Sequence, residues 1–257
     1  MMRVPGGLGI PRRRGSATSH KRIPHANAEI AQNPRPYLED MSIKLIIFDL
    51  DGTLTDSLAD LTDTTNHMLA RFSRPALAQE QVRKLVGQGA RNLVERAMTG
   101  AAAGEIEDAL RIFLAYNDAH IAEKTRLYPG VKDSLELLQA GQREMAVISN
   151  KHVALCRKLL AALGIDGYFR AVLGADSLPF RKPSPEPLLK LIRDFGVSAA
   201  ETVMVGDSIN DIAAGRGAGA VTIGCTYGYG DVSELAEADY RISRFVDLAE
   251  LPILTEG

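Results

Sequence analysis

The chain has 257 residues, of which 46% are apolar and 24% charged, and its formal net charge is −2 at neutral pH. That balance fits an ordinary globular protein with a real core and excludes disordered and fibrous classes. The longest apolar runs, such as KLIIF and MAVIS, fall far short of the roughly 18 to 20 residues a membrane-crossing helix needs.

Residues 1–41 differ in kind from the rest. They hold seven Lys or Arg against three acids, about +4, which leaves about −6 on the remainder. Five prolines and no sustained apolar period predict a disordered basic N-terminal arm. Met41 stands directly before the ordered pattern, so a start assigned too far upstream explains the arm equally well. A targeting segment and a nucleic-acid-binding tail are weaker alternatives, because no apolar h-region and no clear amphipathic helix follow the arginines.

The first predicted strand, 43–48, is apolar throughout and ends in DLDGT, with Asp49 and Asp51 two residues apart. In extended chain such residues point the same way, although Asp-Gly is also an ordinary turn signal. An insertion follows over 57–127. It lacks strand alternation, is rich in Ala, Leu, Arg and Glu, and predicts a helical bundle with segments at 58–72, 79–86, 89–99 and 104–123. Emerging after a strand end, it is placed to act as a cap over that end. Within it Gly87 and Gly89 flank a loop before Arg91, whose planar fork suits a substrate carboxylate. A solvent-facing helix position explains Arg91 equally well.

YPG at 128–130 marks the return to the sheet. Helix 130–140 and strand 144–149 come next, the strand ending on Ser149 and Asn150 in SNK. A hydroxyl and free N–H groups at a helix start suit phosphate oxygens, yet the same residues are common N-caps. Helix 152–163 and strand 171–174 lead to RKPSPEP, in which proline holds Lys182 in extended geometry while Ser184 and Pro185 open helix 185–195. Strand 202–206 runs into GDSIND, placing Asp207 and Asp211 four apart at the start of helix 210–218, on one expected face. Strands 220–224 and 240–243 complete the series. Strands apolar on both faces and alternating with helices predict a doubly wound parallel α/β sheet over 42–56 and 128–257, with ligands at its carboxyl edge.

Two like charges about 4 Å apart repel by roughly 4 kcal/mol at an effective dielectric of 20. Four carboxylates gathered at strand ends therefore call for a cation, and all-oxygen ligation favours Mg²⁺. Cys156 and Cys225 match no metal or redox spacing and read as reduced, packed thiols of a cytoplasmic protein. His67, His120 and His152 form no ligand spacing and read as surface or packed residues.

DLDGTLTDS, SNK, KPSPEP and GDSIND, in this order and with a helical insert after the first, closely resemble the four motifs of the haloacid dehalogenase superfamily. Within it, VGQGARNLVERAM and TYGYG resemble the phosphoglycolate phosphatase subfamily. The resemblance implies a Mg²⁺-dependent phosphomonoester hydrolase of a small phosphorylated metabolite, with neither nucleic acid nor membrane as partner, and a monomer or homodimer. It implies that Asp49 is the nucleophile forming an aspartyl phosphate, and that Asp51 is the general acid and base. Ser149, Asn150 and Lys182 would hold the phosphoryl group. Mg²⁺ would bind the Asp49 side chain, the Asp51 backbone carbonyl and Asp207, supported by Asp211. N-acetylmuramic acid 6-phosphate is an alternative to 2-phosphoglycolate, a sugar phosphomutase is an alternative reaction, and a non-catalytic phospho-accepting module is the reading without catalysis.

Overall fold

The computed structural model describes residues 1–2, 29–30 and 42–255. The expected disordered arm lies outside the described residues, apart from the first two and a short strand, β1 (Glu29–Ile30). In chain order there follow β2 (Leu45–Phe48), β3 (Thr55–Asp56), α1 (Leu58–Arg71), α2 (Gln79–Arg83), α3 (Ala90–Ala97), α4 (Ala103–Ala119) and β4 (Arg126–Leu127). The second half contains α5 (Val131–Ala140), β5 (Glu144–Ile148), α6 (Val153–Ala162), β6 (Ala171–Leu173), α7 (Glu186–Phe195), β7 (Thr202–Gly206), α8 (Ile209–Ala218), β8 (Val221–Cys225), β9 (Tyr240–Ile242) and α9 (Pro252–Thr255).

The main sheet runs β1-β9-β8-β7-β2-β5-β6. Six strands are parallel, and β1 adds to the edge antiparallel to β9. β2 shows why a central strand reads as unbroken apolar sequence. Its Ile46 and Phe48 face a core shared with Leu135 of α5 and Leu159 of α6, whereas Leu45 and Ile47 face a second core with Leu188 of α7 and Ala214 of α8. Alternate side chains thus go to opposite faces, and both faces are covered.

The predicted elements agree with these to within a few residues, and the differences have local causes. α7 begins one residue later than expected, with Pro185 rather than Ser184 as its cap. α4 stops at Ala119, short of the expected 123. The chain beyond it is drawn onto the buried carboxylate of Asp60, which accepts from the backbone of Lys124 and from the backbone and hydroxyl of Thr125 at 2.7 to 3.0 Å. The short β3 and β4 pair antiparallel, Thr55 with Leu127 and Asp56 with Arg126, and form a neck.

Beyond the neck, α1 to α4 pack around their own apolar centre, which includes Leu61, Met68, Leu93, Met98 and Phe113. The sheet register sets what lies beneath this helical block. Phe48 stands opposite Val147 on one side and Val205 on the other, so the chains leaving β2, β5 and β7 deliver Asp49, Ser149 and Asp207 to one edge.

Candidate active site

Asp49 follows β2 directly, with its N–H donating to the Val205 carbonyl at 2.9 Å. Its carboxylate meets the ammonium of Lys182 at 2.9 Å. Lys182 is 2% exposed and also reaches Asp211 at 2.6 Å and the Ile148 carbonyl at 2.7 Å. All three of its protons are therefore engaged. Burial disfavours the lysine charge, but Asp211 and Asp49 outweigh it and raise its pKa above the ordinary value. For Asp49 burial wins over Lys182, and with Asp211 adding repulsion its pKa rises to about 6.

Oxygens of Asp49, Asp207 and Asp211 lie within 4.8 Å of one another. The expected reason for the last two was a shared helix face, and the structure corrects it. Asp207 precedes the cap Ser208 and is not helical, whereas Asp211 sits in the first turn of α8. Asp211 accepts from the Ser208 N–H and hydroxyl at 3.0 and 2.8 Å, and this capping box turns it back towards the strand end. Asp207 is gripped by the chain instead, accepting from Thr53 Oγ1 at 3.2 Å and from the Tyr229 N–H at 2.6 Å.

Two glycines make that grip close. A Cβ on Gly52, whose φ is +89°, would fall 2.2 Å from Asp207 Oδ2, and one on Gly228 would fall 2.2 Å from Asp207 Cβ. No cation pairs with Asp207 among the described residues. Burial, then repulsion from Asp211 and Asp49, push its pKa up to about 8. Three clustered carboxylates sharing one ammonium are short of positive charge, and an all-oxygen donor set of this kind fits a hard divalent cation.

The Asp51 side chain is not part of this cluster, contrary to a simple reading of its two-residue spacing from Asp49. It turns to Lys151 at 2.8 Å and to the Ser57 hydroxyl at 2.6 Å. Both contacts fall on Oδ1, and no described residue bonds Oδ2. Ser149 is buried at the end of β5, where its Oγ accepts weakly from the Lys151 N–H at 3.3 Å. Asn150 donates to the carbonyls of Lys182 at 3.0 Å and Gly87 at 2.9 Å, joining the core loop to the helical block.

Two cavities open on Asp49 and Asp51. A chamber of about 60 Å³ lies between the strand ends and the block, walled by Leu61, Leu93, Phe113 and Leu155 and floored by Ser149 and Lys182. A channel of about 280 Å³ passes Asp207, Arg83, Lys84 and Arg96 on the other side of Gly87.

The haloacid dehalogenase-like hydrolase family matches residues 46–225. The chain belongs to that family. It is 40% identical over 214 residues to a phosphoglycolate phosphatase of Chromobacterium violaceum, covering 81% of this chain and 96% of that one. A second relative, phosphoglycolate phosphatase 1 of Pseudomonas aeruginosa, is 41% identical over 209 residues, 79% of this chain and 76% of its own. A crystal structure from Haemophilus somnus, described as a predicted phosphoglycolate phosphatase, superposes with a TM-score of 0.78 at 36% identity, covering 81% of this chain and 97% of that one. These likenesses make this member of the haloacid dehalogenase-like hydrolases a phosphatase.

Arg91 is the one expected site residue that the fold does not bring to this hydrolase site. It lies 46% exposed on α3 in a two-pronged pair with Glu107 at 2.8 and 2.9 Å, with Glu95 at 3.8 Å. It lines neither cavity. His152, read as a surface or packed residue, lines the chamber with Asp176 at 3.5 Å. Sequence reasoning also passed over Lys151, although it completes the SNK motif, and Arg83, whose guanidinium donates to the carbonyls of Gly228 and Tyr229 at 3.0 and 3.1 Å. Nothing in the residue pattern marks Arg83, because its partners are main-chain atoms far along the sequence. The two cysteines are free and buried, and burial pushes the Cys156 thiol up to about 12.

Proposed function

We propose that this phosphatase hydrolyses 2-phosphoglycolate through a covalent phosphoryl group on Asp49, with Mg²⁺ held by Asp49 and Asp207 and supported by Asp211. The observation that carries the reading is the placing of Asp49 between Lys182 and the acidic cluster, with Asp51 beside it at the mouth of both cavities. A bound Mg²⁺ would offset the negative charge shared by those carboxylates and the phosphate.

The chemistry then follows from the side chains. An Asp49 oxygen attacks phosphorus, and the bond to the ester oxygen breaks as Asp51 donates a proton to the departing alkoxide. Oδ2 of Asp51 suits this exchange, because Lys151 and Ser57 hold the other oxygen. Water next attacks the phosphoryl group, Asp51 takes its proton, and Asp49 is freed. Lys182 and Ser149 steady the phosphoryl oxygens throughout, with one Lys182 N–H turning from the Asp211 carboxylate or the Ile148 carbonyl to donate to a phosphoryl oxygen while the ammonium keeps its protons.

Support for a small acid comes from the cavities. By a measure in which one water needs about 10 to 15 Å³, the chamber admits only a few heavy atoms, so an alcohol part lodged there has two or three carbons, whereas the channel is larger. The channel supplies Lys84 and Arg96, neither paired with a described residue, as partners for a carboxylate in place of Arg91, although Glu80 and Glu234 line it too. Buried free thiols agree with a cytoplasmic setting.

Purified protein with Mg²⁺ and 2-phosphoglycolate should release inorganic phosphate, and Asp49→Ala should lose at least about 10³-fold in kcat/KM. Undiminished release by Asp49→Ala would overturn the reading.

A further inference from the structure

We infer that Tyr229 is a positioning residue for this reaction, setting the Asp51 carboxylate through Ser57 so that its free oxygen meets the ester oxygen. The inference rests on the phosphatase reading and concerns the TYGYG stretch rather than either cavity.

That stretch leaves β8 and folds back over the end of β2, where the Tyr227 hydroxyl donates to the Thr53 carbonyl at 2.9 Å. Tyr229 then holds two parts of the site at once. Its N–H donates to Asp207 Oδ2 at 2.6 Å, and its phenol oxygen accepts from the Ser57 N–H, also at 2.6 Å. The one proton of the phenol goes to Asp56 Oδ1 at 3.1 Å. The Ser57 hydroxyl lies 3.4 Å from the phenol oxygen and donates to Asp51 Oδ1 at 2.6 Å.

Ser57 is the cap residue of α1, a place where serine ordinarily accepts from the first N–H groups of its helix. Here it makes no such bond, and the Leu58 N–H donates to Asp56 Oδ1 at 3.4 Å instead. A cap hydroxyl withdrawn from its helix and given to Asp51 needs the serine backbone held, which the phenol of Tyr229 does. Lys151 reaches the same Oδ1 at 2.8 Å. One contact leaves a carboxylate free to swing, whereas two set its plane and leave Oδ2 for the proton. Proton transfer demands hydrogen-bond reach of the ester oxygen, so a swing costs rate. Arg83 of the helical block closes on the Tyr229 carbonyl at 3.1 Å, so the residue that sets the acid also meets the block.

The test varies the leaving group, with release of inorganic phosphate measured under Mg²⁺. Acetyl phosphate departs as acetate, which needs no proton, whereas ethyl phosphate and 2-phosphoglycolate depart as alkoxides that take one from Asp51. Tyr229→Phe removes the phenol oxygen and keeps the N–H on Asp207. It should lower kcat/KM by about tenfold on the two alkyl esters and by less than about twofold on acetyl phosphate, once spontaneous hydrolysis is subtracted. Ser57→Ala should show the same selective loss, and the double variant should lose no more than either alone. Equal losses on all three esters would reduce Tyr229 to a structural or metal-site role and overturn the inference. Full activity of Tyr229→Phe, or losses that add in the double variant, would overturn it too and leave the phosphatase reading standing. Wild-type release from acetyl phosphate alone would strike Asp51 as the acid and the inference with it. Release from none of the three would instead strike the phosphatase reading itself.

Discussion

The strand ends and the helical block above them solve different problems with charge. At the strand ends Asp49, Lys182, Asp207 and Asp211 are all buried, and their contacts run across three strands and two loops. In the block, Arg91, Glu95 and Glu107 sit in pairs on the exposed outer side, while the inner side offers apolar residues to the chamber and Arg83, Lys84 and Arg96 to the channel. Charge buried without water must be balanced partner by partner, whereas solvated pairs contribute little. On the proposed reading, chemistry belongs to the rigid edge and substrate selection to the wall that faces it.

After the Asp49 replacement, the sharpest way to break this contrast is Lys182→Met. It should leave two facing carboxylates buried without their cation, cost about 3 to 5 kcal/mol of stability and abolish measurable phosphate release. Chemical denaturation together with the phosphate assay checks both effects.

Divalent metal should come next. Asp49 and Asp207 have pKa values raised by burial to about 6 and about 8, so the metal-free folded state keeps protons that the unfolded chain loses near pH 4. Its stability should therefore fall as pH rises from about 4 through about 8. A cation that displaces those protons should reverse the loss, and more strongly at pH 8 than at pH 6. At a hundred times its dissociation constant, Mg²⁺ should raise the thermal midpoint by about 5 to 10 °C over protein in chelator.

Arg83→Ala should act on the junction between the two regions. Losing its bonds to Gly228 and Tyr229 should raise KM for 2-phosphoglycolate several-fold with a smaller change in kcat, as steady-state kinetics would show. The smallest effect belongs to Arg91→Ala. With its partners in solvent, kcat/KM should stay within about twofold and the thermal midpoint within about 2 °C. A large loss there would erase the distinction between outer and inner sides of the block.

Much of the strand edge was legible because its constraints are local. Apolar runs closing on Asp49, Ser149 and Asp207 mark strands covered on both faces, and the proline after Lys182 marks a stiff loop. What escaped depended on tertiary detail. Asp207 and Asp211 meet through a capping box and a glycine-lined grip, not through helical spacing. The neck strands have two residues each and carry no readable period. Arg91 followed a promising glycine loop yet points to Glu107, because the side of a helix that faces a ligand is fixed by packing.

The separate apolar centre of α1 to α4 has a consequence for how such an enzyme can be altered. Since the block carries its own packing and joins the sheet through a neck of two short strands, it should be exchangeable as a unit. Exchanging the interval between Ser57 and Thr125 for another helical module would graft a new appetite onto an unchanged reaction engine, provided the graft supplies a clasp like that of Arg83.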